Sequence, residues 1–198
     1  MTQQQNAALP ALVIAGVLMA FVVYISNVLV SIRIGWLSED WFNYGQFTFP
    51  LAFLITDIIN RLFGARRAFW VIAIGFLGGV LFFFFAGMEG APWPQAWSVG
   101  RIALGSLTAF VVGQVLDVSI FNSLRQRAWW FGPLVSSLVA SLIDTLLFYG
   151  IAAGGSENWM NFASVDFGVK ALVAVVALVP FRLVIAGVFA QRGNSNAA

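Results

Sequence analysis

Residues 69–87 read FWVIAIGFLGGVLFFFFAG, an uninterrupted apolar stretch that follows Arg66 and Arg67. A run that is apolar on every side predicts a helix surrounded by lipid, because a membrane-spanning β-strand would alternate apolar and polar residues. The whole chain shares this character: its 198 residues are 61% hydrophobic and 9% charged. Soluble domains contain about 45–50% apolar and about 25% charged residues. The composition therefore excludes a soluble domain and predicts an all-α integral membrane protein.

Five further stretches resemble this one in length and composition. A helix needs roughly 20 residues to cross the hydrocarbon core of a bilayer. We therefore predict six transmembrane helices, at about residues 9–32, 46–63, 69–87, 98–121, 131–152 and 162–190. The N-terminal segment carries no basic residue, so we interpret the first stretch as a span rather than as a signal peptide. The connections are too short for a soluble domain, so residues 1–198 form a single polytopic membrane domain.

Arginines are distributed unequally between the two sides of this arrangement. One side carries Arg61, Arg66, Arg67, Arg125, Arg127 and Arg192, and the other side carries Arg33 and Arg101. Tryptophans lie at the predicted span ends, as interfacial residues do. They are Trp36, Trp41, Trp93, Trp97, Trp129, Trp130 and Trp159. The arginine-rich side is expected to face the cytoplasm, which places both termini there.

The missing residue types exclude several kinds of chemistry. The chain has no histidine and no cysteine, which excludes disulfides and thiol-ligated metal. We expect no enzymatic activity, no cofactor and no metal site. The alternative of an intramembrane enzyme with paired aspartates and Mg²⁺ is disfavoured, because no two acids are closely spaced on one helix. The net charge of +2 gives no indication of a nucleic-acid partner.

Five ionisable residues fall inside the predicted spans, where each costs at least about 2.5–3.5 kcal/mol. They are Asp57, Asp117, Asp144, Asp166 and Lys170. Asp166 and Lys170 are four residues apart and could neutralise each other, as could Asp57 and Arg61. We expect Arg101 to find its partner on another span, at Asp166. A charge retained at such cost indicates a functional site inside the membrane.

Asp144 has no basic neighbour at helical spacing. Ser137, Ser141 and Thr145 extend its face of the fifth span into a polar stripe, which would serve either a cavity or helix packing. We favour a cavity, because packing alone does not need a carboxylate.

On the fourth span, Gln114 and Asp117 share a face with Phe110 and Phe121. An amide, a carboxylate and two rings suit a flat heterocycle that forms hydrogen bonds.

Two patterns bear on helix packing. Pro50 and Asp57 of the second span have weak counterparts in Pro133 and Asp144 of the fifth, which runs in the opposite direction. This would fit a three-plus-three inverted repeat, although chance explains it equally well. Gly75 and Gly79 form a GxxxG pattern, which predicts close packing within the chain or in a homodimer.

Several motifs with polar residues occur in order along the spans. They are Phe49-Pro50, Thr56-Asp57-Ile58-Ile59-Asn60, Gly113-Gln114-Val115-Leu116-Asp117, Asp144-Thr145-Leu146-Leu147-Phe148, and Val165-Asp166 with Lys170. Together with Asn27 and Arg101 they resemble the queuosine precursor transporter family, a vitamin-uptake-transporter-like group of bacterial membrane proteins. Arg61 departs from the family pattern, since many relatives carry an acid there. The resemblance implies uptake of 7-cyano-7-deazaguanine and 7-aminomethyl-7-deazaguanine across the inner membrane for tRNA modification.

The resemblance and the residue chemistry together give one set of expected substrate-binding residues. The set is Asn27, Phe49, Phe53, Asp57, Arg101, Gln114, Asp117, Asp144, Asp166 and Lys170. A guanine-like ring presents adjacent N–H donors, which Asp117 or Asp144 would accept while Gln114 contacts the carbonyl side. The stacking candidates are Phe49, Phe53, Phe110 and Phe148. Asp57 or Asp144 could instead carry a coupling proton.

The alternative function is that of a substrate-binding membrane subunit that depends on a separate ATP-driven module. The chain has no glycine-rich phosphate loop, so ATP would have to come from a partner. The partners expected in either case are a small molecule and the lipid bilayer.

Overall fold

The computed structural model describes residues 3–30, 32–35, 42–89, 99–153 and 157–195. Within these ranges the chain forms seven helices: α1 (Gln3–Val30), α2 (Tyr44–Thr48), α3 (Leu51–Phe63), α4 (Ala65–Glu89), α5 (Val99–Leu124), α6 (Phe131–Ala152) and α7 (Trp159–Ser195). Five of them contain segments long and apolar enough to cross a membrane: Leu9–Val30, Ala65–Phe85, Gly100–Leu124, Phe131–Ala152 and Trp159–Ala190. The prediction of an all-α membrane protein is confirmed.

The second predicted span, residues 46–63, is a broken helix. Asn43 and Gln46 form a capping box that starts α2, each side chain accepting from the other residue's backbone N–H at 3.1 Å. Pro50 has no N–H to continue the helical hydrogen bonds, so the chain turns at Phe49 and Pro50 before α3 begins. Both residues keep right-handed helical backbone angles. At about 1.5 Å per residue, α2 and α3 together reach roughly the thickness of a bilayer core.

Gly64 separates α3 from α4. Its φ of +88° lies in a region that residues with a Cβ rarely adopt, and its N–H bonds to the carbonyl of Asn60 at 2.9 Å. Because α4 begins at the next residue, these two helices are direct neighbours in the bundle.

The GxxxG pattern of α4 packs inside the chain. Gly75 lies against Met19 of α1, and Gly79 lies against Val23 of α1 and Leu107 of α5. A side chain at either glycine would collide with these neighbours or press on them. The prediction of close packing is therefore confirmed within one chain, while the homodimer stays a prediction.

The two halves of the chain pair their helices differently. The outer helices of the first half, α1 and α4, pack on each other, whereas those of the second half, α5 and α7, do not pack together along their described lengths. Instead, α5 packs against α6, and α6 against α7. The inverted repeat therefore stays a prediction.

Arginines from the two predicted sides lie at opposite ends of the bundle. Arg61 Nη1 donates to the carbonyl of Arg125 at 2.9 Å, and Arg125 Nη2 donates to the carbonyl of Arg61 at 2.6 Å. The guanidinium of Arg182 joins this end, with its carbon 5.0 Å from the ring centroid of Trp129. At the other end, Arg101 Nε donates to the carbonyl of Ile151 at 3.2 Å. Among the predicted interfacial residues, Trp36, Trp41, Trp93 and Trp97 lie outside the described residues.

The bundle is polar inside and apolar outside, which is the reverse of the usual arrangement in soluble proteins. The outward face of α7 is apolar, with Leu172, Val176 and Leu183 each at least 60% exposed. The buried polar residues include Asn27, Gln46, Asp57, Gln114, Asp117, Asp144, Thr145, Asp166 and Lys170. In a membrane protein the apolar side chains on the outside contact lipid. The polar groups inside are therefore the candidates for function.

Candidate functional site

A cavity lies between α1, α2, α5, α6 and α7, in the half of the bundle that contains Arg101. The centre of a water molecule can move within about 40 Å³ of this cavity, which opens partly to the outside. Its lining residues are Asn27, Val30, Asn43, Gly45, Gln46, Phe49, Ile102, Ser106, Ala109, Asp144, Phe148, Tyr149, Asp166 and Lys170. A lining that combines aromatic side chains with a few polar groups is typical of a small-molecule site.

Lys170 lies between two carboxylates at the cavity wall. Its Nζ is 2.7 Å from Asp144 Oδ2 on α6 and 2.7 Å from Asp166 Oδ2 on its own helix. Thr145 connects the same groups, because its hydroxyl donates to Asp166 Oδ2 at 2.9 Å and accepts from Lys170 at 3.0 Å. The predicted pairing of Asp166 with Lys170 is confirmed, and the base that Asp144 lacked on its own helix comes from α7.

This charged cluster of Asp144, Asp166 and Lys170 retains free acceptor atoms. In both carboxylates the Oδ2 atom takes the bonds just described, and Oδ1 takes no hydrogen bond from the described part of the chain. With all three groups ionised, the cluster has a net charge of −1. The cavity wall therefore offers carboxylate oxygens to N–H donors or to a cation.

Amides and hydroxyls form the rest of the polar lining. Asn27 is held in place, since its Nδ2 donates to the carbonyl of Val23 at 2.7 Å and its Oδ1 accepts from Ser106 at 3.2 Å. Gln46 and Tyr149 also face the cavity, and sequence reasoning missed both. The capping box formed by Asn43 and Gln46 is a sequence signal that could have located the first of them.

Aromatic side chains form part of the wall. Phe49 lines the cavity at the break between α2 and α3, and its ring centroid is 5.9 Å from Lys170 Nζ. Phe148 lines it from α6. The other two stacking candidates lie elsewhere: Phe53 borders a different cavity, and Phe110 is buried in the apolar core. Phe49 and Phe148 are therefore the two candidates placed to contact a ring in the cavity.

Half of the predicted site residues line this cavity, and half lie elsewhere. Asn27, Phe49, Asp144, Asp166 and Lys170 come together, whereas Phe53, Asp57, Arg101, Gln114 and Asp117 do not line it. The side chain of Gln114 instead joins two helices, because its Oε1 accepts from the Thr56 hydroxyl at 2.5 Å. Arg101 is exposed at its end of the bundle.

One predicted ion pair is wrong, and a second pair that the spacing allowed does not form. Asp166, expected to pair with Arg101, bonds to Thr145 and Lys170 instead. Asp57, which could have paired with Arg61, accepts from the Ser137 hydroxyl at 3.3 Å, while Arg61 extends to the carbonyl of Arg125. Both outcomes arise because residue spacing gives the helix face and does not give the helix that packs against it.

The membrane-spanning helices surround a polar cavity with buried charges. This arrangement is that of a multi-pass membrane protein that holds a solute inside the bilayer. Comparison with known proteins gives the particular family. The family described as "Putative vitamin uptake transporter" matches residues 43–185, and the chain belongs to this family.

Three curated relatives carry related names. The "Queuosine precursor transporter" of Escherichia coli (strain K12) is 35% identical over 75% of this chain and 75% of its own length. The "Probable queuosine precursor transporter" of Haemophilus influenzae is 35% identical over 75% of this chain and 70% of its own length. A protein with the same name in Bacillus subtilis (strain 168) is 29% identical over 68% and 67% of the two chains. No solved structure matches the chain. The family resemblance predicted from the motifs is confirmed.

Proposed function

We propose that this protein imports the queuosine precursors 7-cyano-7-deazaguanine and 7-aminomethyl-7-deazaguanine across the bacterial inner membrane. The observation that carries the proposal is the cavity that contains Asp144, Asp166 and Lys170. The names of the relatives supply the substrate class, and the cavity supplies the matching chemistry.

Recognition of the guanine-like edge would use the carboxylates. That edge presents a ring N–H beside an exocyclic amine, and the Oδ1 atoms of Asp144 and Asp166 are the unoccupied acceptors in the wall. An adenine-like edge would leave such an acceptor unpaired, which disfavours its binding. Gln46 and Tyr149 lie within the same lining as candidate donors to the ring carbonyl.

The net charge of the cluster would also suit the second precursor. The aminomethyl group carries a positive charge near neutral pH, and the charged cluster has one negative charge in excess. Phe49 and Phe148 would contact the flat faces of either ring. The same charged cluster would therefore suit both the neutral and the cationic precursor.

The proposed orientation places both termini in the cytoplasm. It is supported by the contacts of Arg61, Arg125 and Arg182 at one end of the bundle, since arginines concentrate on the cytoplasmic side. The cavity then lies in the outer half of the protein, where a substrate arriving from outside would enter.

Uptake of labelled 7-cyano-7-deazaguanine tests the proposal, in cells that cannot synthesise this precursor. We expect uptake with the intact chain and with Glu157→Gln, an exposed acid outside the cavity. Asp144→Asn makes the same acid-to-amide change inside the cavity and should reduce uptake at least tenfold. Uptake by Asp144→Asn equal to that of the intact chain, with equal amounts in the membrane, would contradict this site.

The purified chain in liposomes separates transport from the alternative function. We expect labelled precursor to enter and to be recovered chemically unchanged. A chain that binds the precursor without moving it would instead be the substrate-binding subunit of an ATP-driven system.

A further inference from the structure

A second buried polar cluster lies apart from the cavity, where α3, α5 and α6 meet. Asp57 of α3 and Asp117 of α5 are 3% and 0% exposed. Hydrogen bonds from Thr56 to Gln114 and from Asn60 to the carbonyl of Val118 join α3 to α5 beside these two residues, which brings their carboxyl groups near each other. From α6, the hydroxyl of Ser137 donates to Asp57 Oδ2 at 3.3 Å. We call Asp57 and Asp117 the carboxyl pair.

No basic side chain faces the carboxyl pair from the described parts of the neighbouring helices. On α3, Arg61 extends to the carbonyl of Arg125. On α7, Lys170 binds Asp144 and Asp166. α6 contributes serine hydroxyls, and α5 contributes no charged group besides Asp117 itself. The pair therefore has no counter-charge within the bundle.

Several oxygen atoms of this cluster have no hydrogen-bond partner. Among the described residues, Asp57 Oδ1, both carboxyl oxygens of Asp117 and the hydroxyl of Ser141 are buried and receive or donate no well-formed bond. Ser141 is 1% exposed and lines the same small cavity as Asp57 and Ser137. Buried polar atoms without a partner are rare in proteins, and a bound ligand is one explanation for them.

A single proton satisfies two of the carboxyl oxygens directly. Two adjacent carboxylates in a low-dielectric interior repel each other strongly, and neither has a base to offset its charge. One bound proton removes that repulsion and turns one oxygen into an O–H donor, which the other carboxyl can accept. The pair then carries a single negative charge and an internal hydrogen bond.

We propose that Asp57 and Asp117 form a proton-binding site that drives import, with one proton entering together with each substrate molecule. The identity of the co-transported substrate rests on the proposed function. The identity of the driving ion rests on the carboxyl pair. It assigns Asp57, Asp117 and Ser141 to energy coupling and leaves substrate recognition to the charged cluster.

Two structural connections link the proton site to the substrate cavity. On α6, Ser137 contacts Asp57, Ser141 follows one turn later, and Asp144 of the charged cluster follows within another turn. On α5, Gly113 lies one turn before Asp117, and a Cβ there would be 3.1 Å from the Cβ of Asp144. The carboxyl pair and the substrate site thus share helices α5 and α6, so a change in the charge of the pair affects helices that also form the substrate site.

Infrared spectroscopy tests proton binding without any substrate. We expect the intact chain to show the C=O stretch of a protonated carboxylic acid at neutral pH. Asp57→Asn and Asp117→Asn should each remove this band, whereas Glu157→Gln should retain it. Absence of the band from the intact chain, or its persistence in both variants, would overturn the proposal. This readout holds even if the substrate assignment is wrong.

Liposomes that contain the purified chain test coupling. With the membrane potential clamped and the outside acidic, one proton per neutral 7-cyano-7-deazaguanine gives about tenfold accumulation for each pH unit. Asp57→Asn and Asp117→Asn imitate the protonated pair, so both should lose this accumulation while still exchanging labelled for unlabelled precursor. That exchange also shows that the variants are folded.

The outcomes separate this proposal from the proposed function. Accumulation by Asp117→Asn equal to that of the intact chain, accumulation that does not respond to pH, or accumulation driven by a sodium gradient would each overturn proton coupling. If the intact chain neither binds nor exchanges the precursor, the proposed function fails, while the infrared result still decides whether the pair binds a proton.

Discussion

Replacing Lys170 by methionine tests how the charged cluster is held together. The substitution keeps an unbranched side chain and removes a charge whose Nζ lies 2.7 Å from each of two carboxylates. At that distance and an effective dielectric constant of about 20, each pair attracts by about 6 kcal/mol before desolvation. Burial opposes much of this attraction, so the measured effect of removing one partner from a buried pair is about 3–5 kcal/mol. We expect Lys170→Met to lower the free energy of unfolding by that amount.

Unfolding in detergent micelles measures this loss, with Leu172→Ala as the control. Leu172 lies on the same helix and is 62% exposed, so its truncation should change stability by about 0.5 kcal/mol or less. Adding Asp144→Asn to Lys170→Met should recover about 0.5–3 kcal/mol, because it removes one of the two uncompensated charges. If Lys170→Met has the same free energy of unfolding as the intact chain, the attraction between Lys170 and the two carboxylates does not stabilise the protein.

Four further substitutions test the contact of Gly113, the ring of Phe49 and the orientation in the membrane. Gly113→Ala places a Cβ 3.1 Å from the Cβ of Asp144, so we expect a loss of about 1–3 kcal/mol in unfolding free energy together with weaker uptake. Phe49→Ala removes a ring from the cavity wall and should weaken precursor binding by about 1–3 kcal/mol, roughly 5- to 150-fold, measured by equilibrium binding. Because the chain has no cysteine, Arg127→Cys and Glu157→Cys each introduce a unique label site, and an impermeant maleimide should modify intact cells at Glu157→Cys alone.

Each of these substitutions has a result that would count against the account. Gly150→Ala is the control for Gly113→Ala, since no atom lies within 4 Å of a Cβ at that position, and it should not weaken uptake. Equal effects of the two glycine substitutions would show that the contact of Gly113 with Asp144 is unimportant. If Phe49→Ala binds the precursor as tightly as the intact chain, the ring of Phe49 is not part of the binding site. Labelling of Arg127→Cys in intact cells would reverse the proposed orientation.

The fold could be predicted from the sequence because lipid imposes a simple rule on composition. The apolar run that ends in Phe82 to Phe85 becomes part of α4, and five predicted spans correspond to helices of sufficient length. The break in the second span was harder to predict. Pro50 is visible in the sequence, but hydropathy averages over it, and the kink follows from its missing N–H.

The candidate site was only partly predictable. The spacing of Asp166 and Lys170 placed both on one face of a helix, and the structure pairs them. The contact between Lys170 and Asp144 depends on the packing of α6 against α7, which helical periodicity cannot give. Gln114 illustrates the same limit, because its amide bonds to Thr56 of another helix.

The division of the buried acids into two groups emerges only in three dimensions. From the sequence, Asp117 and Asp144 were equal candidates for contact with the substrate. In the structure, Asp144 pairs with a lysine at the cavity wall, whereas Asp117 faces another carboxyl group deep between helices. A difference in counter-charge therefore distinguishes the proposed substrate site from the proposed proton site.

A structure of the protein with bound 7-cyano-7-deazaguanine would locate the substrate site. We expect the ligand in the cavity between α1, α2, α5, α6 and α7, with its N–H edge on a carboxylate of Asp144 or Asp166 and its ring against Phe49 or Phe148. A ligand bound at Asp57 and Asp117, with the charged cluster untouched, would contradict this placement.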